Sequence, residues 1–230
     1  MRGKLLYALG ALGGIWLVRN LYVICLVLPD EAAQGAVYRN LFFHLPAWAV
    51  CFTAYLVAGG ASLWYLIRLS RTADALAVSC VEVGVAFTCV GLATGSIWAR
   101  IIWGIWWTWD ARLTWALITC IIYVGYLMLR RAIDDPSARA RISAVLCIFA
   151  YVSVMITYKS IEWWRTQHPG PVLSFRTGGG TIDPAMESAV YQNALALLLI
   201  ASVMVAVRMQ QEISLREVDS LRRQVHAVSH

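Results

Sequence analysis

Charged residues make up only 14% of this 230-residue chain, and just 13 positions are acidic. So little charge cannot cover the surface of an ordinary soluble domain, and the 60% apolar content and mean hydropathy of +0.65 point the same way. The chain lacks a phosphate-cradling G-x-x-x-x-G-K-[ST] loop, which excludes ATP hydrolysis by its own residues. Its six cysteines, Cys25, Cys51, Cys80, Cys89, Cys120 and Cys147, lie in or beside apolar stretches and form no C-x-x-C pair. They read as small buried apolar residues, neither disulfides nor metal ligands. Histidine occurs at only four positions, and no cluster of His, Cys or acid has the spacing of a zinc site. No internal repeat is present.

Six apolar stretches stand out, at about 5–28, 47–67, 76–97, 113–129, 142–158 and 188–207. Each approaches the roughly 17–25 residues that cross a bilayer core as a helix. Backbone groups in lipid must be satisfied within the segment, so the expected fold is all-α: a polytopic membrane protein built as a bundle of six transmembrane helices. The first stretch exceeds the roughly 7–15 apolar residues of a signal peptide and is expected to be retained. Residues 1–208 form the six-span domain in this reading. Residues 209–230 form a polar tail, with Val218, Leu221, Val225 and Val228 at helical spacing. An amphipathic helix and a frayed solvated tail are both open for it.

The formal charge of +6 follows the membrane and does not point to nucleic acid. One side of the expected bundle carries Arg2, Lys4, Arg68, Arg71, Arg130, Arg131, Arg139, Arg141, Arg208, Arg216, Arg222 and Arg223. The other carries Arg39, Arg100, Arg112, Lys159, Arg165 and Arg176, with Arg19 inside the first stretch. The positive-inside rule then places both termini in the cytoplasm and turns connections 29–46, 98–112 and 159–187 outward. Glu82, about two turns into its helix, is expected to reach Arg71 or the inner interface. Arg19 is expected to reach a polar helix neighbour or the outer surface.

Six of eleven tryptophans fall between Trp98 and Trp115, and Trp103 to Asp110 reads WGIWWTWD. Two readings compete: an interfacial aromatic belt, or a platform for a large flat ligand. Five rings in twelve residues exceed what anchoring a helix end requires. Asp110 suits the cap of a following helix, and its carboxylate also suits orienting a ring N–H or a basic side chain. His44, in YRNLFFHLP, and His168, in EWWRTQHPG, fall on the same outward side. Taken singly, each histidine fits a solvated or hydrogen-bonded side chain. Two imidazoles facing one porphyrin are a common way to hold haem iron.

At these residues the chain resembles the haem exporter protein C (CcmC-type) family, the smaller tryptophan-rich haem-handling membrane proteins of cytochrome c maturation. The family pattern W-G-x-x-W-x-W-D stands here as Trp103, Gly104, Trp107, Trp109 and Asp110, with Trp106 adjoining. TGSIW before it, DARLTW after it, YRNLFFHLP, SIEWWRTQHPG and TIDPAM extend the likeness over nearly the whole chain. The resemblance implies a non-enzymatic protein that carries haem b as transient cargo, with His44 and His168 as axial ligands. It implies delivery to a membrane-anchored periplasmic haem chaperone from the outer face of the bacterial cytoplasmic (inner) membrane. It also implies association with ABC-transporter ATPase and membrane subunits and with a small one-span protein. Arg39, Arg100, Arg112, Arg165 and Arg176 are candidates to pair the propionates. Two other classes are weighed against this: a b-type cytochrome subunit in quinone-linked electron transfer, whose histidines lie at membrane depth, and a solute transporter using Arg19 and Glu82.

Overall fold

The computed structural model describes residues 2–170, 172–173 and 181–228. Among the described residues six long helices carry the chain: α1 (Arg2–Tyr22), α2 (Leu41–Arg68), α3 (Arg71–Trp103), α4 (Ala111–Ala132), α5 (Pro136–Trp163) and α6 (Pro184–Val228). All six elements are long and apolar enough to cross a membrane. Helices α2 to α6 outrun the apolar stretches at both ends because hydrophobicity marks only the lipid-facing middle, while the hydrogen-bonded helix continues until something caps it; α1 instead passes into a π-helical turn over Val23–Val27.

The caps follow from local sequence. Ser70 accepts a hydrogen bond from Ala73 N at 3.3 Å, and Asp135 accepts one from Ala138 N at 2.6 Å, with Pro136 opening α5. Asp183, ahead of Pro184, accepts from Ala185 N and Met186 N at 2.8 and 3.3 Å. These side-chain oxygens satisfy N–H groups that have no partner in the first turn. Gly104 ends α3 at a φ of 76°, where a Cβ would be strained.

The start of α2 is built differently. Residues Ala36–Asn40 form a 3-10 turn that runs directly into α2, and Pro46 stands inside the helix. Proline has no N–H, so the Phe42 carbonyl loses its usual helical donor. Asn193 on α6 supplies the replacement, donating to that carbonyl at 2.6 Å from a fully buried position. This bond ties α2 to α6 two residues from His44.

Helices α2 and α3 form the central pair, with α4 and α5 against one side and α6 against the other, while α1 packs on α6. Tyr55 of α2 stacks on Tyr123 of α4 at 3.7 Å between ring centroids. Toward the arginine-rich end, Arg130 grips Asp74 through two bonds of 2.7 and 3.0 Å, and Arg216 adds a third at 2.7 Å. Glu82 pairs with Arg208 on α6 at 2.6 and 2.9 Å, and not with Arg71, one of the two alternatives expected for it. Helix neighbours meet side by side along the bundle, whereas Arg71 sits about three turns down the same helix. Arg19 donates to Gln192 on α6 at 2.7 Å, a polar helix neighbour as expected. Helix α6 runs through residue 209 without a break, and Val218, Leu221 and Val225 are exposed on it.

Candidate functional site

At the opposite end of α3, the tryptophan end of the bundle, lies a cavity of about 530 Å³. That size falls within the roughly 300–1,000 Å³ of small-molecule and cofactor sites. Helix α2 contributes His44 and Trp48, α3 contributes Trp98 and Trp103, and the following loop contributes Trp107. Arg112 from α4 and His168 from the last long connection add a guanidinium and a second imidazole to the lining. Two histidines separated by 124 positions thus line one aromatic chamber.

His44 stands on the first turn of α2 with 7% exposure, not in the connection that precedes it. Thr94 passes its hydroxyl hydrogen to the Val90 and Gly91 carbonyls, at 2.7 and 3.2 Å. Its oxygen therefore accepts at 3.0 Å from His44, which places the imidazole hydrogen on Nδ1. The lone pair is left on Nε2, where it accepts the Trp48 indole N–H at 3.2 Å. Gly95 makes the close approach possible: a Cβ there would stand 2.9 Å from His44 Cε1. Trp98 closes the other side edge-on at 6.0 Å and donates to Gln34 at 2.8 Å, fastening the first connection to α3.

His168 has the same tautomer for a different reason. Its Nδ1 lies 2.8 Å from the Pro169 carbonyl, which can only accept, so Nε2 keeps the lone pair. Burial and then the Arg112 guanidinium push its pKa from 6.5 down to about 4. The ring is neutral at pH 7 and available as a ligand.

Asp110 explains how His168 is held. One carboxylate oxygen caps α4, accepting from Leu113 N at 2.9 Å. The other accepts from Thr166 Oγ at 2.7 Å and from Gln167 N at 3.2 Å. Thr166 Oγ accepts in turn from His168 N at 3.0 Å. The aspartate closing WGIWWTWD therefore clamps the histidine loop to the start of α4. Arg112 donates to the Thr157 carbonyl on α5 and lies over the Trp48 ring at 6.0 Å.

The tryptophan run divides. Trp103 and Trp107 line the cavity, and the buried Trp107 N–H has no partner among the described residues. Trp106 and Trp109 are 59% and 77% exposed and lie outside the lining, with Trp109 edge-on to Trp107 at 5.9 Å. Gly104 turns the chain directly after Trp103. Trp48, Trp98 and Thr94 were not among the residues expected from sequence. The signals for them were the i, i+4 spacing of His44 and Trp48 and the segment TGSIW.

The expected arginines also separate. Arg112 is the permanently charged side chain in the lining among the described residues. Arg39 is tied to Asp30 and to the Ile24 and Leu28 carbonyls, and Arg100 to the Gly104 carbonyl. Arg176 and the Gly178–Gly180 run lie outside the described residues. No group of three or more His, Cys, Asp or Glu side chains among the described residues is placed to hold a bare metal ion. Two imidazoles in a broad apolar chamber suit a planar ligand that already supplies the other iron ligands.

Comparison with known proteins identifies the family. The family model described as Heme exporter protein C matches residues 1–224. The Heme exporter protein C of Bradyrhizobium diazoefficiens is 37% identical over 223 residues, 96% of this chain and 84% of that protein. Its Escherichia coli K12 counterpart is 33% identical over 189 residues, 82% of this chain and 76% of that protein. That of Paracoccus denitrificans is 31% identical over 194 residues, covering 84% and 80%. With the family model matching residues 1–224 and a relative 37% identical over 96% of this chain, the chain belongs to the heme exporter protein C family.

Proposed function

We propose that this protein handles haem b as cargo, holding the iron between His44 and His168 at the outward end of the bundle. The observation that carries the reading is the pair of Nε2 lone pairs, each set by a bond at Nδ1, on the lining of one aromatic cavity. Bonds at the far ring nitrogen fix tautomer and orientation and raise ligand basicity. Trp103 and Trp107 supply apolar area for the porphyrin, with Gly104, Trp106, Trp109 and Asp110 shaping the loop that presents them. Arg112 and the unpartnered Trp107 N–H are suited to a propionate, an acidic group that must be paired when it leaves water.

Twelve basic residues at the arginine-rich end against six at the other support cytoplasmic termini, with the haem site facing the periplasm. In this arrangement residues 209–228 extend α6 into the cytoplasm, where ABC-transporter subunits and a small one-span protein would assemble. The outward cavity faces a membrane-anchored haem chaperone, to which the cargo passes. The protein contributes binding and transfer, and ATP hydrolysis belongs to its partners.

Purified His44→Ala and His168→Ala variants should each lose the bis-imidazole absorption spectrum and most bound haem. Unchanged spectra in both would refute the ligand assignment. Trp107→Ala should impair handover to the chaperone while membrane insertion stays normal, and normal delivery would reduce the rings to anchors.

A further inference from the structure

His44 Nε2 has one lone pair, and in this structure the Trp48 indole N–H takes it at 3.2 Å. Resting on the reading that His44 ligates haem iron, we infer that Trp48 is an internal competitor for the iron, taking the ligand nitrogen whenever haem is absent. Ligation breaks the N–H···N hydrogen bond and forms the iron–nitrogen bond. Release reverses both. The indole proton stays on its nitrogen throughout, so no proton or electron changes hands.

Three features make this a built arrangement. His44 and Trp48 stand four residues apart on α2, so helix geometry places one ring against the other. The tautomer is fixed by Thr94, whose only hydrogen is committed to backbone carbonyls, so Nε2 is always the accepting nitrogen. The Trp48 ring is itself held: a Cβ on Gly91 would lie 2.8 Å from its Cε2, Phe52 packs at 5.5 Å, and the Arg112 guanidinium lies over its face. Trp48 is buried, so when iron takes Nε2 its N–H must turn to another acceptor or stay unpaired. That penalty falls on the haem-bound state alone. A transfer protein needs such a term, because bis-imidazole ligation without an opposing force would retain the cargo it must surrender.

The test uses full-length protein loaded with haem and followed by loss of haem to an excess of an apo-globin scavenger. Trp48→Phe keeps the aromatic ring and deletes the N–H. Its bis-imidazole spectrum should be unchanged, and haem should dissociate more slowly by roughly 2- to 13-fold, the worth of one net hydrogen bond. Trp48→Leu, which removes the donor with a different shape, should shift dissociation in the same direction. Handover to the haem chaperone should slow in parallel in both variants. Dissociation as fast as or faster than wild type in both variants, with the spectrum intact, would overturn the competitor role. If His44→Ala retains the bis-imidazole spectrum, the ligand reading itself fails, a result distinguishable from the first.

Discussion

Replacing Asp110 offers a quantitative test of how WGIWWTWD acts, because its two carboxylate oxygens do separable work. One caps α4 through Leu113 N, and the other holds Thr166 and Gln167 ahead of His168. Asparagine caps helices about as well as aspartate, so Asp110→Asn keeps the first task. It turns an amide NH2 toward Gln167 N–H, which loses its acceptor, and toward Thr166, whose bond loses its charge assistance. Bonds to a charged group contribute about 1.5–3 kcal/mol each. The site is only half-buried and solvent screens the charge, so the combined loss is about 1–2 kcal/mol. That raises the undocked fraction of the histidine loop by roughly 5- to 30-fold. Hydrogen exchange read by mass spectrometry should show faster exchange across 164–170 in Asp110→Asn, with the first turn of α4 unchanged. Asp110→Ala should accelerate both segments, and haem retention should fall in both variants. Unchanged exchange at 164–170 in Asp110→Ala would refute the clamp.

Gly95→Ala puts a methyl 2.9 Å from His44 Cε1. At an overpacking cost of about 1–3 kcal/mol it should displace the ring and weaken the bis-imidazole spectrum, which absorption spectroscopy of the purified variant checks. Asn193→Leu should destabilise the bundle by about 1–2 kcal/mol in thermal melts, because the Phe42 carbonyl loses its donor. In a Pro46→Ala background the restored backbone N–H should shrink that penalty, and strict additivity in the double-mutant cycle would contradict the account. Docking of the His168 loop should be pH-independent above the ordinary imidazole range and weaken as pH falls from about 6.5 to about 4. Over that window the undocked loop takes up a proton that the docked ring refuses. Exchange at 164–170, corrected for its intrinsic pH dependence, should rise accordingly, and His168→Gln should abolish the effect.

Some of this molecule is legible residue by residue. Asp110, Asp135-Pro136 and Asp183-Pro184 announce helix starts, and Gly104 announces the end of α3, because capping and left-handed turns depend on neighbours within four positions. The setting of His44 is not local. Phe43, His44 and Pro46 suggest a connection entering a span, since proline usually bars helix interiors. Its helical setting depends on Asn193, some 150 positions away, donating to the carbonyl that Pro46 leaves free. The tryptophan run shows the same divide. Spacing alone cannot show that Trp103 and Trp107 face the chamber while Trp106 and Trp109 face outward, because the residues after Gly104 follow no regular period.

By itself the sequence determined six apolar helices, the uneven charge of their two ends, the two histidines and the family motif. Each of these is a property of composition, period or local order. Only the tertiary structure decided that His44 and His168 share one cavity and that Trp48 occupies the His44 nitrogen. It also decided that Asp110 serves α4 and the histidine loop at once. Those facts are contacts between helices, fixed by the packing of α2 against α3 at Gly91 and Gly95 and by hydrogen bonds that span the fold. Distances across a bundle depend on every helix that fills the space between, so no local stretch of sequence encodes them.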